Sequence, residues 1–277
     1  MTDSSYEQRY KRTVTDFFDG RTSYDNSSTI GRALPLLERV ELRPRQRVLD
    51  VATGTGIIAI AAAQKVGSGG YVTGVDFSAG MLRQAEQKSE QIQLENIEWI
   101  KADADYLDFP AARFDAVFCS SALVYLKDIA STLASWHRWL KIDGMAAFSG
   151  WSDTSYPAPW IIQACACHGI SLSNINAPTG TKKKCTDLLQ AAGFHDVVVA
   201  ERQLGCYKSV EQLSGWTGDW FHPKKSPLAD VSAELRHSIV SEYHNLIASK
   251  ETDKGVWCES LAYYASGRKV RQTEGNQ

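Results

Sequence analysis

The chain has 277 residues, with 30 lysines and arginines against 32 aspartates and glutamates, for a net charge of −2. Hydrophobic residues at 43% and charged ones at 22% are ordinary globular usage, which excludes a disordered or fibrous chain, and the near-neutral balance argues against the basic footprint that nucleic-acid binding requires. The longest apolar run, Ile57 to Ala63, is seven residues, far short of the ~18 that signal a membrane span.

The opening MTDSSYEQRYKRTV places charges on both sides of its few apolar residues and has no apolar h-region. No signal peptide or membrane partner is expected, and the reading is cytoplasmic. A helical pattern runs through Phe17 and Phe18, then a polar turn follows over Gly20–Ser28. Residues 1–30 are expected to form a segment that closes over one edge of the fold. From residue 46 to 203, short β-rich runs alternate with longer helical patterns. Strands are predicted at Arg47–Val51, Tyr71–Asp76, Ile97–Lys101, Phe114–Ser120, Gly144–Trp151 and Asp196–Arg202. Helices are predicted at Ile57–Val66, Met81–Leu94, Ile129–Leu140 and Cys185–Ala192, the last stopped by Gly193. Alternation of this kind defines a doubly wound α/β core with a mostly parallel sheet, Rossmann-like in layout.

Two stretches break the alternation. Residues 152–184 hold Pro157, Pro159, Pro178, Tyr156, Trp160 and His168; residues 204–253 hold Tyr207, Trp216, Trp220, Phe221 and His222, with an amphipathic helix near Val231–Ser249. Neither is long enough in apolar residues for an independent domain. Both read as insertions covering the sheet edge at which α/β folds bind ligands. Their aromatics fit two readings, packing of helices onto the core or the walls of an apolar acceptor pocket. His168 and His222 are the candidate bases, since both fall in segments able to face the crevice. His137, between Trp136 and Trp139 on a predicted helix, reads as structural. The basic clusters Lys182–Lys184 and Lys224-Lys225 read as solvated charges. The six cysteines lack any CxxC spacing and read as free thiols of a reducing compartment. Cys165-Ala166-Cys167 is a weak metal signal, and no metal is expected.

The chemistry centres on Val48-Leu49-Asp50-Val51-Ala52-Thr53-Gly54-Thr55-Gly56, a strand that opens through glycines into a helix. Glycines let backbone amides approach a ligand, and the helix N-terminus that follows favours negative charge. Asp76 ends the second strand twenty residues after Gly56, where a carboxylate can accept bonds from ribose hydroxyls. Its structural reading is a cap for the next helix. Asp103 follows the third strand, in reach of an adenine amino group, or is simply a turn carboxylate. Ser120 to Tyr125 follow the fourth strand and line the centre of the crevice. Two cofactors place a nucleoside on such a sheet, a nicotinamide dinucleotide and S-adenosylmethionine. A pyrophosphate turn reads G-x-G-x-x-G without an acidic residue at the strand end; here Ala59 holds the third glycine's position and Asp50 precedes Gly54 by four residues. A carboxylate there repels pyrophosphate but can organise the loop around a zwitterionic amino acid.

Val48–Gly56, Gly74–Ser78, Ala102–Ala104 and Phe114–Val117 together resemble the successive motifs of class I S-adenosylmethionine-dependent methyltransferases, closest in flavour to the branch of ubiquinone and menaquinone C-methyltransferases. Trp136–Gly144, Leu188–Phe194 and Val256–Lys269 resemble the family's later elements, the last an antiparallel seventh strand. The resemblance spans roughly 15–203 and 254–269 and implies one methyltransferase domain over residues 1–277 with a seven-stranded sheet. It departs from the family at Ala52, which replaces the first glycine, and at Lys141–Gly144, which lacks the usual proline.

The resemblance implies S-adenosylmethionine as cofactor and S-adenosylhomocysteine as product. It puts Asp50, Ala52 and Gly54 near the methionine moiety, with Gly56 beneath it. Asp76 falls on the ribose, Asp103 and the Ala104 amide on the adenine, and Ser120 near the sulfonium. Phe77 and Met81 give apolar cover, and Tyr24 reaches toward the methionine carboxylate. The expected partner is a mid-sized apolar or aromatic small-molecule acceptor, O-methylated in preference to C- or N-methylated, on a monomer or homodimer. An NAD-dependent oxidoreductase and a non-catalytic protein of the same fold remain the alternatives.

Overall fold

A computed structural model describes residues 3–220, 222–223 and 226–271. Phe221 and the Lys224-Lys225 pair lie outside the described residues. Two helices, α1 (Asp3–Asp19) and α2 (Ser27–Leu37), precede the alternating core of β1 (Arg47–Val51), α3 (Ile57–Val66), β2 (Tyr71–Asp76), α4 (Ala79–Gln91), β3 (Ile97–Lys101), β4 (Phe114–Ser120), α5 (Ile129–Trp139) and β5 (Leu140–Trp151). Then come α6 (Ala158–Cys167), α7 (Lys182–Ala191), β6 (His195–Gln203), β7 (Cys206–Lys208), α8 (Val210–Leu213), α9 (Ala233–Ala248), β8 (Val256–Cys258) and β9 (Leu261–Arg268).

Seven strands form one sheet in the order β3-β2-β1-β4-β5-β9-β6. Strands β1 to β5 pair in parallel, and β9 runs antiparallel between β5 and β6. Strand direction in sequence reverses between β1 and β4, which is the switch point where such sheets open a crevice. The period-two geometry of strands divides their side chains between two cores. Leu49, Val51, Val117, Cys119, Ala146 and Phe148 pack with Leu133, Trp136, Cys185 and Leu189 of α5 and α7. Val48, Val72, Ala116, Phe118 and Ala147 face the other way onto Leu36, Leu37, Ile58 and Ala62 of α2 and α3. Burial on both faces is why β1 and β4 read as near-continuous apolar runs.

The elements differ from their sequence reading where side-chain capping decides. Helix α4 starts at Ala79 because Ser78 accepts the Met81 N–H at 3.1 Å as its N-cap. The polar turn read over Gly20–Ser28 ends in a second helix, α2, started by Asn26 and Thr29 in a reciprocal capping box. The seventh strand expected over Val256–Lys269 divides. Val256–Cys258 pairs with β7 in a separate two-stranded sheet, and only Leu261–Arg268 joins the main one. Between them the carbonyls of Glu259 and Ser260 are taken by the N–H groups of Tyr156 and Leu204.

The two insertions pack mainly on each other. Ile161 and Cys165 of α6, Leu213 of α8, and Ile239, Tyr243 and Ile247 of α9 form a third buried cluster, with Trp160, Trp216 and Trp220 against it. Trp216 meets Tyr243 edge-on at 4.9 Å. The packing reading of these aromatics is the one the structure supports.

Candidate functional site

The C-terminal ends of β1 to β4 open on a cavity that spans about 780 Å³ with its open mouth included. Nine of the eleven residues read from sequence as cofactor-binding line it: Tyr24, Ala52, Gly54, Asp76, Phe77, Met81, Asp103, Ala104 and Ser120. Asp50 and Gly56 do not.

The loop after β1 explains the exceptions. Ala52, Gly54 and Gly56 adopt φ of 54°, 56° and 79°, a succession of left-handed residues. At Gly54 an added Cβ would meet nothing within 4 Å, so the backbone there is open for close approach. At Gly56 an added Cβ would stand 2.6 Å from the Trp99 ring, so this glycine serves packing beneath the loop. Asp50 is 1% exposed on the same hidden side. It accepts a hydrogen bond from the Thr53 hydroxyl, and its Oδ1 has no partner among the described residues. Burial pushes its carboxyl up to about 7, against the pull of the Thr53 hydroxyl and the Ala59 N–H.

Asp76 ties two strand ends together, its oxygens accepting the Gly54 N–H at 2.8 Å and the Ser78 N–H at 2.9 Å. Burial raises its carboxyl above the ordinary value despite those bonds. Two N–H groups do not exhaust a carboxylate's acceptor sites, so Asp76 still presents a hydrogen-bonding edge to the cavity. Asp103 accepts the Asp105 N–H at 3.0 Å and the Lys11 ammonium at 2.9 Å. Lys11 also binds Asp105, whose other oxygen accepts the Lys127 N–H at 3.0 Å.

Sequence reasoning placed the N-terminal segment over this edge but named only Tyr24 from it as a site residue; α1 adds Tyr10, Lys11, Val14 and Phe18 to the cavity wall. The signal was present, since Tyr10, Val14 and Phe18 recur at i, i+4, i+8. Polar contacts fasten the helix along its length. Lys11 bridges Asp103 and Asp105. Asp19 accepts from the Ser78 hydroxyl and the Gly80 N–H, which holds its carboxyl below the usual range. Beyond it, Asp25 binds the Thr55 hydroxyl and Lys88. Neither His168 nor His222 is among the lining residues. His168 caps the C-terminal end of α6, and the His222 carbonyl accepts the Tyr6 hydroxyl at 3.0 Å outside the cavity. Neither candidate base therefore lines the cavity, and none of the described residues lining it comes from the insertions.

Strand ends, a left-handed glycine loop and a carboxylate after each of β2 and β3 define an α/β protein built to hold a nucleoside cofactor. The cofactor's tail follows from charge. Lys11 is the one cation among the described lining residues, and it is already paired with two carboxylates, so nothing remains to neutralise a pyrophosphate. The open backbone at Gly54, with no free cation among the described lining residues, suits a nucleoside carrying a zwitterionic amino acid.

A family profile described as a methyltransferase domain matches residues 48–144. The aklanonic acid methyltransferase DauC of Streptomyces sp. strain C5 is 36% identical over 155 residues, which cover 54% of this chain and 68% of that protein. The nocamycin O-methyltransferase of Saccharothrix syringae is 28% identical over 229 residues, covering 74% of this chain and 82% of the relative. In fold, the YcgJ protein of Bacillus subtilis superposes with a TM-score of 0.61 at 15% identity, over 89% of this chain and all of that one. The chain belongs to the class I S-adenosylmethionine-dependent methyltransferases. It is an enzyme that uses S-adenosylmethionine to methylate a small molecule. No helix among the described residues is long and apolar enough to cross a membrane.

Proposed function

We propose that this enzyme O-methylates a mid-sized apolar or aromatic acceptor whose oxygen is already ionised, a carboxylate or an acidic enol. The observation that carries this reading is the composition of the cavity beyond the cofactor residues. Tyr10, Val14, Phe18, Tyr125 and Leu126 make it apolar, Ser120 and Ser121 supply hydroxyls, and no imidazole or unpaired carboxylate stands at that end among the described residues. A neutral alcohol or phenol needs a base to release its proton, whereas a carboxylate needs none at neutral pH. The names of the two relatives, one an acid methyltransferase and one an O-methyltransferase, point the same way.

Bound S-adenosylmethionine supplies an electrophilic methyl on a sulfonium. The protein's part is alignment in a dry pocket. Asp76 would hold the ribose hydroxyls, Asp103 and the Ala104 amide the adenine edge, and Gly54 with Ala52 the methionine portion. Phe77 and Met81 would cover the nucleoside, Ser120 would lie near the sulfonium, and Tyr24 would approach the methionine carboxylate. Asp50 acts from below, shaping the loop without touching the ligand. Residues 1–30 serve as the lid, excluding water through α1.

The test is methyl transfer from labelled S-adenosylmethionine to naphthoic acid, lawsone, naphthol and menadiol. Ester or enol-ether products from the first two, with naphthol slow at neutral pH, are expected. Transfer only to a ring carbon of menadiol would replace this reading with C-methylation. Rapid methylation of naphthol would require a base that the described lining residues do not supply.

A further inference from the structure

One group on the cavity wall has no role in holding the cofactor. Tyr125 follows β4 and lines both the main cavity and a small recess beside it, whose other lining residues are Tyr6, Glu7, Tyr10, Lys11, Lys127 and Pro223. Its place is fixed from α1. The Tyr10 hydroxyl donates to the Tyr125 carbonyl at 3.3 Å, and the Phe18 ring meets the Tyr125 ring edge-on at 6.3 Å and 86°. Burial, the Tyr24 phenol and Arg21 act on its hydroxyl, with no hydrogen bond from a described residue among them. Burial and the nearby Tyr24 phenol raise its pKa, with Arg21 acting weakly the other way, so at neutral pH it is a phenol that donates a proton to a hydrogen bond and does not abstract one.

Ser121 stands at the same end. Its φ of 58° is left-handed, uncommon for a residue with a side chain, and strain of this kind persists only where the surroundings over-determine it. The N–H of Ser121 is gripped twice by Ser149, by its carbonyl at 3.2 Å and its hydroxyl at 3.0 Å. That grip turns Ser121 toward the cavity it lines.

We infer that Tyr125, with Ser121 beside it, binds one oxygen of an acceptor group in which two oxygens share a single negative charge, leaving the other oxygen free to attack. This rests on the ionised-oxygen reading above and adds to it the residues that hold the second oxygen of a carboxylate or of its vinylogue, such as the enolate of a β-dicarbonyl or hydroxyquinone. In the transfer, a lone pair of the free oxygen forms the new C–O bond as the C–S bond breaks with its electron pair left on sulfur. No proton has to leave, which matches a site whose tyrosine donates. Tyr125 is thereby a catalytic residue that selects the acceptor.

The test uses the whole chain and Tyr125→Phe, which keeps the ring and removes the hydroxyl. Affinity for S-adenosylhomocysteine is measured by calorimetry. Affinity for naphthoate, and for the neutral naphthalenemethanol, is measured by fluorescence in the presence of S-adenosylhomocysteine. Turnover is measured with naphthoic acid and lawsone. A hydrogen bond to a charged group predicts that naphthoate affinity and kcat/KM fall by about tenfold or more, with affinity for naphthalenemethanol and S-adenosylhomocysteine within about twofold. Ser121→Ala should act in the same direction with a smaller loss, about threefold, because an aliphatic hydroxyl is a weaker donor than a phenol. Equal losses for naphthoate and naphthalenemethanol, no loss for either, or a loss confined to S-adenosylhomocysteine would each overturn the assignment. If the wild-type chain binds S-adenosylhomocysteine yet neither binds naphthoate nor methylates either oxygen probe, the oxygen-acceptor reading itself fails and this inference falls with it.

Discussion

Asp76 does two jobs whose costs can be separated. Its carboxylate accepts the Gly54 and Ser78 N–H groups, joining the glycine loop to the cap of α4, and still faces the cavity. Asp76→Ala should therefore weaken S-adenosylhomocysteine by at least about tenfold and also lower the thermal midpoint, because two buried N–H groups lose their acceptor. Unchanged affinity in calorimetry would remove Asp76 from the cofactor site. Asp50 predicts a different signature. Its folded carboxyl sits near about 7 while an unfolded Asp titrates near about 4. The folded state thus holds the extra proton between those values, and stability falls as pH rises from about 4 to about 7. Asp50→Asn cannot ionise, so it should be the more stable protein at about pH 8, by about 1–3 kcal/mol, with the gap closing toward pH 4. Urea midpoints across that range check it, and parallel curves for the two proteins would mean that Asp50 carries no buried charge.

At the scale of elements, α1 turns an open crevice into a lined cavity, and its fastening is polar rather than apolar. Lys11 is one-fifth exposed and reaches two carboxylates, with Asp105 only 6% exposed, so the pair is screened less than a surface bridge. Lys11→Met keeps the aliphatic stem and deletes the bridge. It should raise amide hydrogen exchange throughout α1, leave that of the central strands unchanged, and weaken S-adenosylhomocysteine severalfold. Exchange in α1 matching the wild type would show that Tyr10, Val14 and Phe18 alone seat the helix. The histidines read as bases do not line the cavity. His168 and His222 sit in insertions assigned to the crevice on the strength of their aromatics, but the same aromatics close a core among α6, α8 and α9.

Across the whole molecule, what was legible followed from periodicity and from turns with strict demands. The parallel core was readable because two-sided burial makes β1 and β4 continuous apolar runs, and the glycine loop because φ near +60° at Gly54 and Gly56 narrows the choice of residue. Ala52 shows the limit of that logic, since it holds a φ of 54° without being glycine. The apolar face of α1, Tyr10, Val14 and Phe18, was legible as a helical repeat, but the ion pair that seats it was not, because Lys11 and Asp103 are 92 positions apart and leave no local pattern. Nor was the division of the last strand, which depends on N–H groups from Tyr156 and Leu204. One carboxylate joins what the chain keeps apart. Asp105 receives Lys11 from α1 on one oxygen and the Lys127 N–H on the other, so α1, the loop after β3 and the loop carrying Tyr125 meet at a single side chain. A cofactor that settles Asp103 and the neighbouring Asp105 therefore completes the acceptor's berth before the acceptor arrives. Steady-state kinetics should follow a compulsory order with S-adenosylmethionine first, so that S-adenosylhomocysteine competes with the cofactor and inhibits noncompetitively against the acceptor; a random-order pattern would mean that the two berths form independently.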